Sequence, residues 1–157
     1  MKTVHLMGIG GSGMASLAGM FAEKGWKVRG SDQKIYPPAS TELAELKIPV
    51  LEGFKPENLE PKPDLVIVGN VISRGNPEAE ALLTSGIPYT SMAQALAKYF
   101  LKDRRSVVVT GTHGKTTTTS LLAWILDRAG QAPGLFVGGG SRRTSGVAVG
   151  SGPGSRS

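Results

Sequence analysis

The stretch TVHLMGIGGSGMASLAGMFAEKGWKVRGSD, residues 3–32, carries the pattern that decides the fold. Residues 3–7 are an apolar run typical of a buried strand, and residues 13–24 repeat large apolar side chains at helical spacing. Gly25 is expected to end that helix, and residues 27–30 to form a second strand. A strand, a glycine loop, a helix and another strand in this order predict a parallel βαβ unit.

The glycine loop GIGGSG fits the pattern G-x-G-x-x-G between that strand and that helix. In this pattern the glycines allow a tight turn, let the backbone approach a pyrophosphate, and let helix and strand pack closely. Asp32 lies nineteen residues beyond Gly13, where dinucleotide folds place an acidic residue against the ribose. The pattern predicts a nucleotide site, with NAD as the generic ligand, and a tight turn without a ligand is the alternative.

The alternation of strands and helices continues to residue 101 and predicts a doubly wound α/β domain. Ser40 or Thr41 is expected to cap a helix, and Pro77 and Gly86 to begin and end the next one. The remaining predicted elements are strands within 49–51, 64–70 and 87–90 and a helix over 91–101.

A second glycine loop, TGTHGKTTT at residues 110–118, follows the apolar run 106–110 and precedes a predicted helix. It resembles a P-loop, in which backbone N–H groups and a lysine hold phosphates and a hydroxyl ligates Mg²⁺. The match is imperfect because Val109 stands where the first glycine belongs. Whether His113 shapes the loop or acts as a base stays open. The predicted ATP-binding residues are Gly111, Thr112, His113, Gly114, Lys115, Thr116 and Thr117, with Lys115 and Thr116 catalytic and Thr116 the Mg²⁺ ligand.

The composition narrows the class of protein. The chain has 157 residues, no cysteine and a formal net charge of +6. Its basic residues are scattered rather than striped, so we expect no nucleic-acid partner. The N-terminal apolar run is broken by glycine, and no run approaches the ~18 residues of a membrane span, so a cytoplasmic protein without a membrane partner is expected. His5 lies mid-strand and is expected to be a core histidine with a satisfied hydrogen bond.

The two loops together resemble the Mur ligases of peptidoglycan synthesis, over residues 1 to about 140. HLMGIGGSGMASLA resembles the UDP-binding start of ligases that act on UDP-N-acetylmuramate, and TGTHGKTTT resembles the family's ATP loop. The resemblance implies that ATP with Mg²⁺ activates a carboxylate as an acyl phosphate, which an amine then attacks. The residues that it implies for substrate binding are Gly8, Gly10, Gly11, Ser12, Gly13, Asp32, Asn70, Ser73, Arg74 and Asn76.

Three stretches bear on the branch of the family: GSDQKIYPPAST, VGNVISRGNPE and IPYTSMAQAL. They resemble the cell-wall recycling branch, which joins UDP-N-acetylmuramate to the tripeptide L-alanyl-γ-D-glutamyl-meso-diaminopimelate. The branch that adds L-alanine is the alternative. Two readings from other classes are a nicotinamide oxidoreductase domain, which leaves TGTHGKTTT unexplained, and a non-catalytic nucleotide-binding fragment.

The domain organisation expected from this resemblance has two domains, followed by a tail over residues 141–157. Residues 1–101 form a UDP-sugar-binding, Rossmann-like domain, and residues 105–140 are the truncated start of a P-loop ATPase domain, with a further strand at 134–137. The chain alone is therefore expected to be inactive as a ligase.

The segment 141–157, rich in Gly, Ser and Arg, is expected to be a disordered, out-of-frame tail. The family continues G-G-V-P-x-N-F-G at this point, and codons exist for GSRRTSG, residues 140–146, that read Val-Pro-Lys-Asn-Phe-Gly one base earlier.

Overall fold

A computed structural model describes residues 1–102 and 104–137 of the chain. Its five strands form one parallel sheet in the order β3-β2-β1-β4-β5. This arrangement confirms the predicted α/β class with a Rossmann-like sheet. The elements are β1 (Thr3–Met7), α1 (Ser12–Glu23), β2 (Lys27–Asp32), α2 (Ala39–Glu45), β3 (Val50–Glu52), a 3-10 helix (Pro56–Leu59), β4 (Leu65–Val68), α3 (Pro77–Ser85), β5 (Tyr89–Ser91), α4 (Met92–Leu96), a π-helical turn (Ala97–Leu101) and α5 (Lys115–Arg128).

Helices cover both faces of the sheet because successive side chains of a strand point to opposite faces. On β1, Val4 and Leu6 belong to the larger apolar core, which contains α1, α2 and α4. Met7 belongs to a smaller core on the other face, where Leu82 of α3 and the 3-10 helix lie. His5 faces α3 as well, since its ring contacts Glu78 of that helix.

The strand order reverses direction at β1, which pairs with β2 on one side and with β4 on the other. The helix after β1 and the helix after β4 cover opposite faces, so a crevice opens between them at the carboxyl ends of the strands. This topology places the glycine loop and the loop after β4 on opposite sides of one crevice.

The ends of the first three long helices follow partly from the sequence. Gly25 takes a φ of +82° just past α1, and Gly86 a φ of +72° at the end of α3, as the sequence predicts. The predicted capping of α2 by Ser40 or Thr41 is wrong. That helix begins at Ala39, with its N-cap at the proline at position 38, which already has the backbone angles of a first turn.

The segment after Lys102 differs most from its prediction. Residues 106–110 and 134–137 form no strand, because the sheet ends at β5 and no described strand offers them backbone partners. The predicted helix is present as α5, but none of its residues is buried against the described part of the chain. Phe136 packs on the larger core, and the Ser16 hydroxyl lies 3.5 Å from the carbonyl oxygen of Val137.

Residues 138–157, with the predicted out-of-frame tail and the end of the second predicted domain, lie outside the described residues. No helix within residues 1–102 and 104–137 is long and apolar enough to cross a membrane.

Candidate functional site

A pocket of about 680 Å³ opens at the crevice beside the carboxyl ends of the strands. Four segments that are distant in sequence line it: the glycine loop, the end of β2, the turn after β3 and the loop between β4 and α3. The lining residues are Gly11, Asp32, Gln33, Phe54, Val71, Ser73, Arg74, Gly75, Asn76 and Pro77. The structure therefore brings together five residues predicted for substrate binding: Gly11, Asp32, Ser73, Arg74 and Asn76.

The glycine loop is held by the strand beside it. The N–H groups of Gly8 and Ile9 both donate to the carbonyl oxygen of Ser31, at 2.8 and 3.2 Å. Gly8 has a φ of +77°, which disfavours any side chain, so the first glycine makes the tight turn that the pattern predicts. Gly11 follows as the N-cap of α1, with no side-chain cap, so the first N–H groups of α1 remain available beside the pocket.

The second glycine of the motif has a different neighbour from the one the pattern suggests. A side chain at Gly10 would place its Cβ 2.5 Å from Cγ2 of Ile35 and 3.0 Å from Oδ2 of Asp32. The same carboxylate oxygen accepts a hydrogen bond from the Gly10 N–H at 2.8 Å. The groups that lie close to Gly10 are therefore the protein's own side chains, where the pattern suggests a pyrophosphate. At Gly11 a Cβ would meet nothing closer than 3.6 Å.

A smaller pocket of about 220 Å³ lies on the other side of the loop, near the starts of α1 and α2. Gly10 and Ser12 line it together with the charged side chains of Lys34 and Glu42. Burial, and then the neighbouring charge of Glu45, raise the pKa of Glu42. The sequence did not indicate this pocket.

The loop between β4 and α3 supplies the facing wall of the large pocket. Asn76 is the N-cap of α3, and its side-chain oxygen accepts from the N–H groups of Glu78 and Ala79 at 3.0 and 3.1 Å. The Gly75 N–H donates to the Glu80 carboxylate at 3.0 Å, which ties the loop to the same helical turn. Arg74 is exposed at the pocket mouth. Three other predicted residues, Gly8, Gly13 and Asn70, line neither this pocket nor the smaller one.

A buried polar network that the sequence did not reveal lies under this wall. Nε2 of His5 lies 2.6 Å from Oε1 of Glu78, and both side chains are fully buried. The prediction of a core histidine is right for the Nε2 atom, but Nδ1 has no partner among the described residues. Burial acts to raise the pKa of Glu78, and hydrogen bonds from His5, Asn58 and Ser31 outweigh it and lower the pKa.

The second glycine loop stands apart from this pocket. Gly114 takes a φ of +76° directly before α5, and the Lys115 ammonium donates to the carbonyl oxygens of Gly111 and Thr112 at 2.8 and 3.2 Å. The other predicted phosphate ligands, Thr112, His113, Thr116 and Thr117, are exposed. Within the described ranges no group of three His, Cys, Asp or Glu side chains is placed to hold a metal ion.

Sequence reasoning missed Gln33 and Phe54 in the large pocket. Both lie just beyond the carboxyl end of a strand: Gln33 is the first residue after β2, and Phe54 is the second residue after β3. Parallel strands end at one edge of the sheet, so their following residues were a usable signal. The smaller pocket and the buried network had no such signal, because they depend on how α2 and α3 pack.

Comparison with known families matches both parts of the chain. Residues 3–104 match the Mur ligase family, catalytic domain, and residues 109–148 match the Mur ligase middle domain.

Two relatives represent the two branches. The chain is 46% identical over 136 residues to UDP-N-acetylmuramate--L-alanyl-gamma-D-glutamyl-meso-2,6-diaminoheptandioate ligase of Escherichia coli (strain K12). The matched region covers 87% of this chain and 30% of that protein. It is 38% identical over 139 residues to UDP-N-acetylmuramate--L-alanine ligase of Carboxydothermus hydrogenoformans, covering 88% of this chain and 30% of that protein. The chain thus spans about 30% of the length of the curated relatives it matches.

Solved structures agree with this division. The UDP-N-acetylmuramate:L-alanyl-gamma-D-glutamyl-meso-diaminopimelate ligase from Neisseria meningitides superposes with a TM-score of 0.84 at 48% identity, over 90% of this chain and 44% of that one. The UDP-N-acetylmuramate-alanine ligase from Thermotoga maritima gives a TM-score of 0.74 at 29% identity, over 83% of this chain and 30% of that one. The chain belongs to the Mur ligase family.

Proposed function

We propose that this chain carries the UDP-N-acetylmuramate site of an ATP-dependent ligase that joins this sugar nucleotide to the tripeptide L-alanyl-γ-D-glutamyl-meso-diaminopimelate. The observation that carries the proposal is the large pocket. It gathers Gly11, Asp32 and the Ser73–Asn76 loop at the switch point of the sheet, where open α/β sheets bind nucleotides.

The pocket offers the groups that a nucleotide diphosphate requires. The uncapped start of α1 presents free N–H groups and the positive end of a helix dipole beside Gly11. Arg74 at the mouth is free to pair with a diphosphate, and Phe54 supplies an aromatic surface. The carboxylate of Asp32 already accepts a hydrogen bond from the Gly10 N–H. We therefore assign Asp32 a main role in shaping the glycine loop and a second role in contacting the ligand.

The second loop fits the phosphates of ATP. Gly114 allows the left-handed turn that precedes α5, and the first N–H groups of that helix have no side-chain cap. Lys115 lies across the loop on two carbonyl oxygens and is placed to leave them for the terminal phosphates. We assign Gly111–Thr117 to ATP and the Thr116 hydroxyl to Mg²⁺, in keeping with the P-loop pattern.

The chemistry proposed for the whole enzyme is carboxylate activation. ATP supplies, when bound, the phosphoryl group that turns the muramyl carboxylate into an acyl phosphate, and the amine of the peptide displaces phosphate to form the amide. In this process Lys115 and the loop N–H groups would neutralise phosphate charge, while the large pocket would hold the sugar nucleotide in line. Such an enzyme works in the cytoplasm, where its nucleotide substrates are found.

The acceptor is the finer part of the proposal. The tripeptide is favoured over L-alanine because identity is 46% to the ligase named for the tripeptide and 38% to one named for L-alanine. The L-alanine ligase remains the alternative function. A non-catalytic nucleotide-binding role is the second alternative, and α5 favours it because no residue of that helix is buried in the described structure.

Calorimetric titration of the 157-residue chain tests the site. UDP-N-acetylmuramate is expected to bind, with NADH showing no heat and ATP binding weakly, since a few charge-assisted contacts must offset the entropy of association. Micromolar binding of NADH without binding of the UDP-sugar would overturn the proposal. Turnover of ATP that requires both the UDP-sugar and the tripeptide would show that the chain is active by itself, against expectation.

A further inference from the structure

Glu78 is a fully buried carboxylate that receives hydrogen bonds from three other elements of the fold. Its Oε1 lies 2.6 Å from Nε2 of His5 in β1 and accepts from the Ser31 hydroxyl of β2 at 2.9 Å. Its Oε2 accepts from Nδ2 of Asn58 in the 3-10 helix at 2.8 Å and from the Lys55 N–H at 3.3 Å. Glu78 itself is the second residue of α3, where the helix dipole favours an anion.

The first two walls of the large pocket connect to this carboxylate through Ser31. The side chain of Ser31 bonds Glu78, while its carbonyl oxygen holds the N–H groups of Gly8 and Ile9 at the start of the glycine loop. The next residue along β2 is Asp32, which lines the pocket and fixes Gly10. One serine therefore ties both the glycine loop and the end of β2 to Glu78.

The turn after β3 is tied to the carboxylate, and the loop between β4 and α3 is tied to the backbone of the same residue. Phe54 lies between Lys55, whose N–H donates to Glu78, and Gly53, whose carbonyl oxygen accepts from Asn58 at 2.8 Å. The Ser73–Asn76 loop is attached through Asn76, which accepts the Glu78 N–H. Three walls of the pocket are thus held within one or two residues of a group that contacts the carboxylate, and the fourth joins the backbone of Glu78 at the start of α3.

A buried charge is a costly way to stabilise a fold, since well-packed apolar residues of similar size are often as good or better. The directional bonds of the carboxylate are what an apolar residue lacks. His5 fits this role as a neutral ring that donates from Nε2, because a proton on the unpartnered Nδ1 would be buried without an acceptor.

We infer that Glu78 is a positioning residue, whose carboxylate holds the glycine loop, the end of β2 and the turn after β3 against the start of α3 and so keeps these three walls of the large pocket in register for the UDP-sugar. This inference rests on the function proposed for that pocket. Glu78 is buried beneath the walls and does not line the pocket, so its effect on binding is indirect.

Three variants of the full chain separate positioning from general stability. Glu78→Ala removes the acceptor of four hydrogen bonds. Glu78→Gln keeps the shape: its amide oxygen can accept from Asn58 and Lys55 and its NH2 group can donate to Ser31, but it offers no acceptor to Nε2 of His5. Leu82→Ala is the matched control, because Leu82 is a buried apolar residue of the same helix, one turn after Glu78, and has no polar side-chain atom that could bond the network.

All three variants are titrated with UDP-N-acetylmuramate at a temperature at which circular dichroism shows them folded. Glu78→Ala is expected to weaken binding by at least about tenfold, because misplaced walls lose binding geometry. Glu78→Gln should recover part of this loss, and Leu82→Ala should stay within about twofold of the parent chain, since it changes stability alone. Parent-like affinity of Glu78→Ala, or an equal loss in Leu82→Ala, would overturn the inference.

Backbone amide signals of the free protein give a readout that needs no ligand. In Glu78→Ala the NMR signals of Gly8, Asp32 and Lys55, one from each of the three walls that the carboxylate holds, should shift, whereas in Leu82→Ala they should stay near their original positions. Unchanged signals in Glu78→Ala would refute positioning even where the UDP-sugar binds. Failure of the parent chain to bind the UDP-sugar would instead refute the proposed function, and the amide signals would still decide the role of Glu78.

Discussion

The carboxylate of Asp32 accepts a hydrogen bond from the N–H of Gly10 at 2.8 Å, and this bond closes the glycine loop onto the end of β2. Its second oxygen accepts the N–H of Gln33 at 2.7 Å. An acidic residue at the end of β2 is commonly assigned to a ribose hydroxyl. In this chain the carboxylate also shapes the loop that forms the pocket.

Gly10 and Gly11 are therefore expected to respond differently to the same change. Gly10→Ala places a methyl group against Ile35 and Asp32, so we expect the free energy of unfolding to fall by about 1–3 kcal/mol. Gly11→Ala has room for its methyl group and ordinary backbone angles, so its loss should stay within about 1 kcal/mol, as for an N-cap change. Urea denaturation measures both.

Gly11→Ala should lower the affinity for UDP-N-acetylmuramate, although it changes the stability little. Its added methyl group enters the large pocket, so binding should weaken in a chain that is still stable. Equal stability losses in the two variants, or full affinity in Gly11→Ala, would contradict this assignment of the two glycines.

Local signals in the sequence predicted the parts of the fold that depend on neighbouring residues. Pro77 and Gly86 bound α3 as predicted, because a fixed φ and a left-handed turn act within a few residues. The predicted start of α2 was wrong because Ser40 and the proline at position 38 are both good signals for a helix start. The structure uses the proline, and the local sequence does not decide between the two.

Elements that need distant partners were beyond such signals. The run SVVVT at residues 106–110 has strand composition, yet a strand requires a neighbour, and the described sheet offers none. The contact of His5 with Glu78 joins residues 73 positions apart, so no spacing rule could indicate it. Of the candidate site, the glycine loop and the residues after the strands were predictable, while the smaller pocket and the buried network required the topology.

Arg74 is expected to contribute to binding through the diphosphate. Arg74→Gln removes a charge-assisted contact worth about 1.5–3 kcal/mol, which weakens UDP-N-acetylmuramate by roughly one to two orders of magnitude. Uridine, which lacks phosphate, should bind both forms alike. Lys27→Gln, an exposed change at the opposite end of β2, is the control for net charge. If uridine loses as much affinity as the UDP-sugar, the arginine does not pair with phosphate.

Acid should reveal the ionised state of Glu78. The fold lowers its pKa from an ordinary value of 4.5, so the unfolded chain takes up a proton before the folded chain does. The stability from this group is fully present above the ordinary value, and it is lost as the pH falls through the folded pKa.

The comparison of the parent chain with Glu78→Gln isolates this effect from other carboxylates. Other groups face Glu78, namely His5 and the guanidinium of Arg29, and they are common to both proteins. Urea unfolding from pH 6 to pH 3 should show a steeper loss in the parent chain. Parallel curves for the two proteins would mean that folding leaves the pKa of Glu78 unchanged.

The DNA that encodes residues 140–146 decides whether the tail is read in a shifted frame. The codons GGG TCC CGA AGA ACT TCG GGG encode GSRRTSG, and one base earlier they give Val-Pro-Lys-Asn-Phe-Gly. The match to the middle domain runs to residue 148, which extends into this segment. We expect the shifted frame to stay open and to encode an acidic Mg²⁺-ligand motif. Codons incompatible with this set, or early stops in that frame, would end the hypothesis.

Hydrogen exchange should separate the sheet from the segment that follows it. Val107 and Val108 are 63% and 77% exposed, and Leu121, Trp124 and Ile125 of α5 are about half exposed. A helix of fourteen residues is marginal in water unless it packs, and none of its residues is buried in the described structure. Amides at residues 106–130 should therefore exchange far faster than those of β1 and β4, whose side chains lie in both cores.

Exchange measured by mass spectrometry on the intact chain tests this difference, and α1 serves as the internal control because its apolar face is buried. Residues near Phe136 should be protected more than α5, since that side chain packs on the larger core. Uniformly slow exchange through residues 106–137 would show that this segment packs in a way that its exposed side chains do not explain. Addition of ATP should slow exchange around Gly114 and Lys115 if the loop holds phosphates.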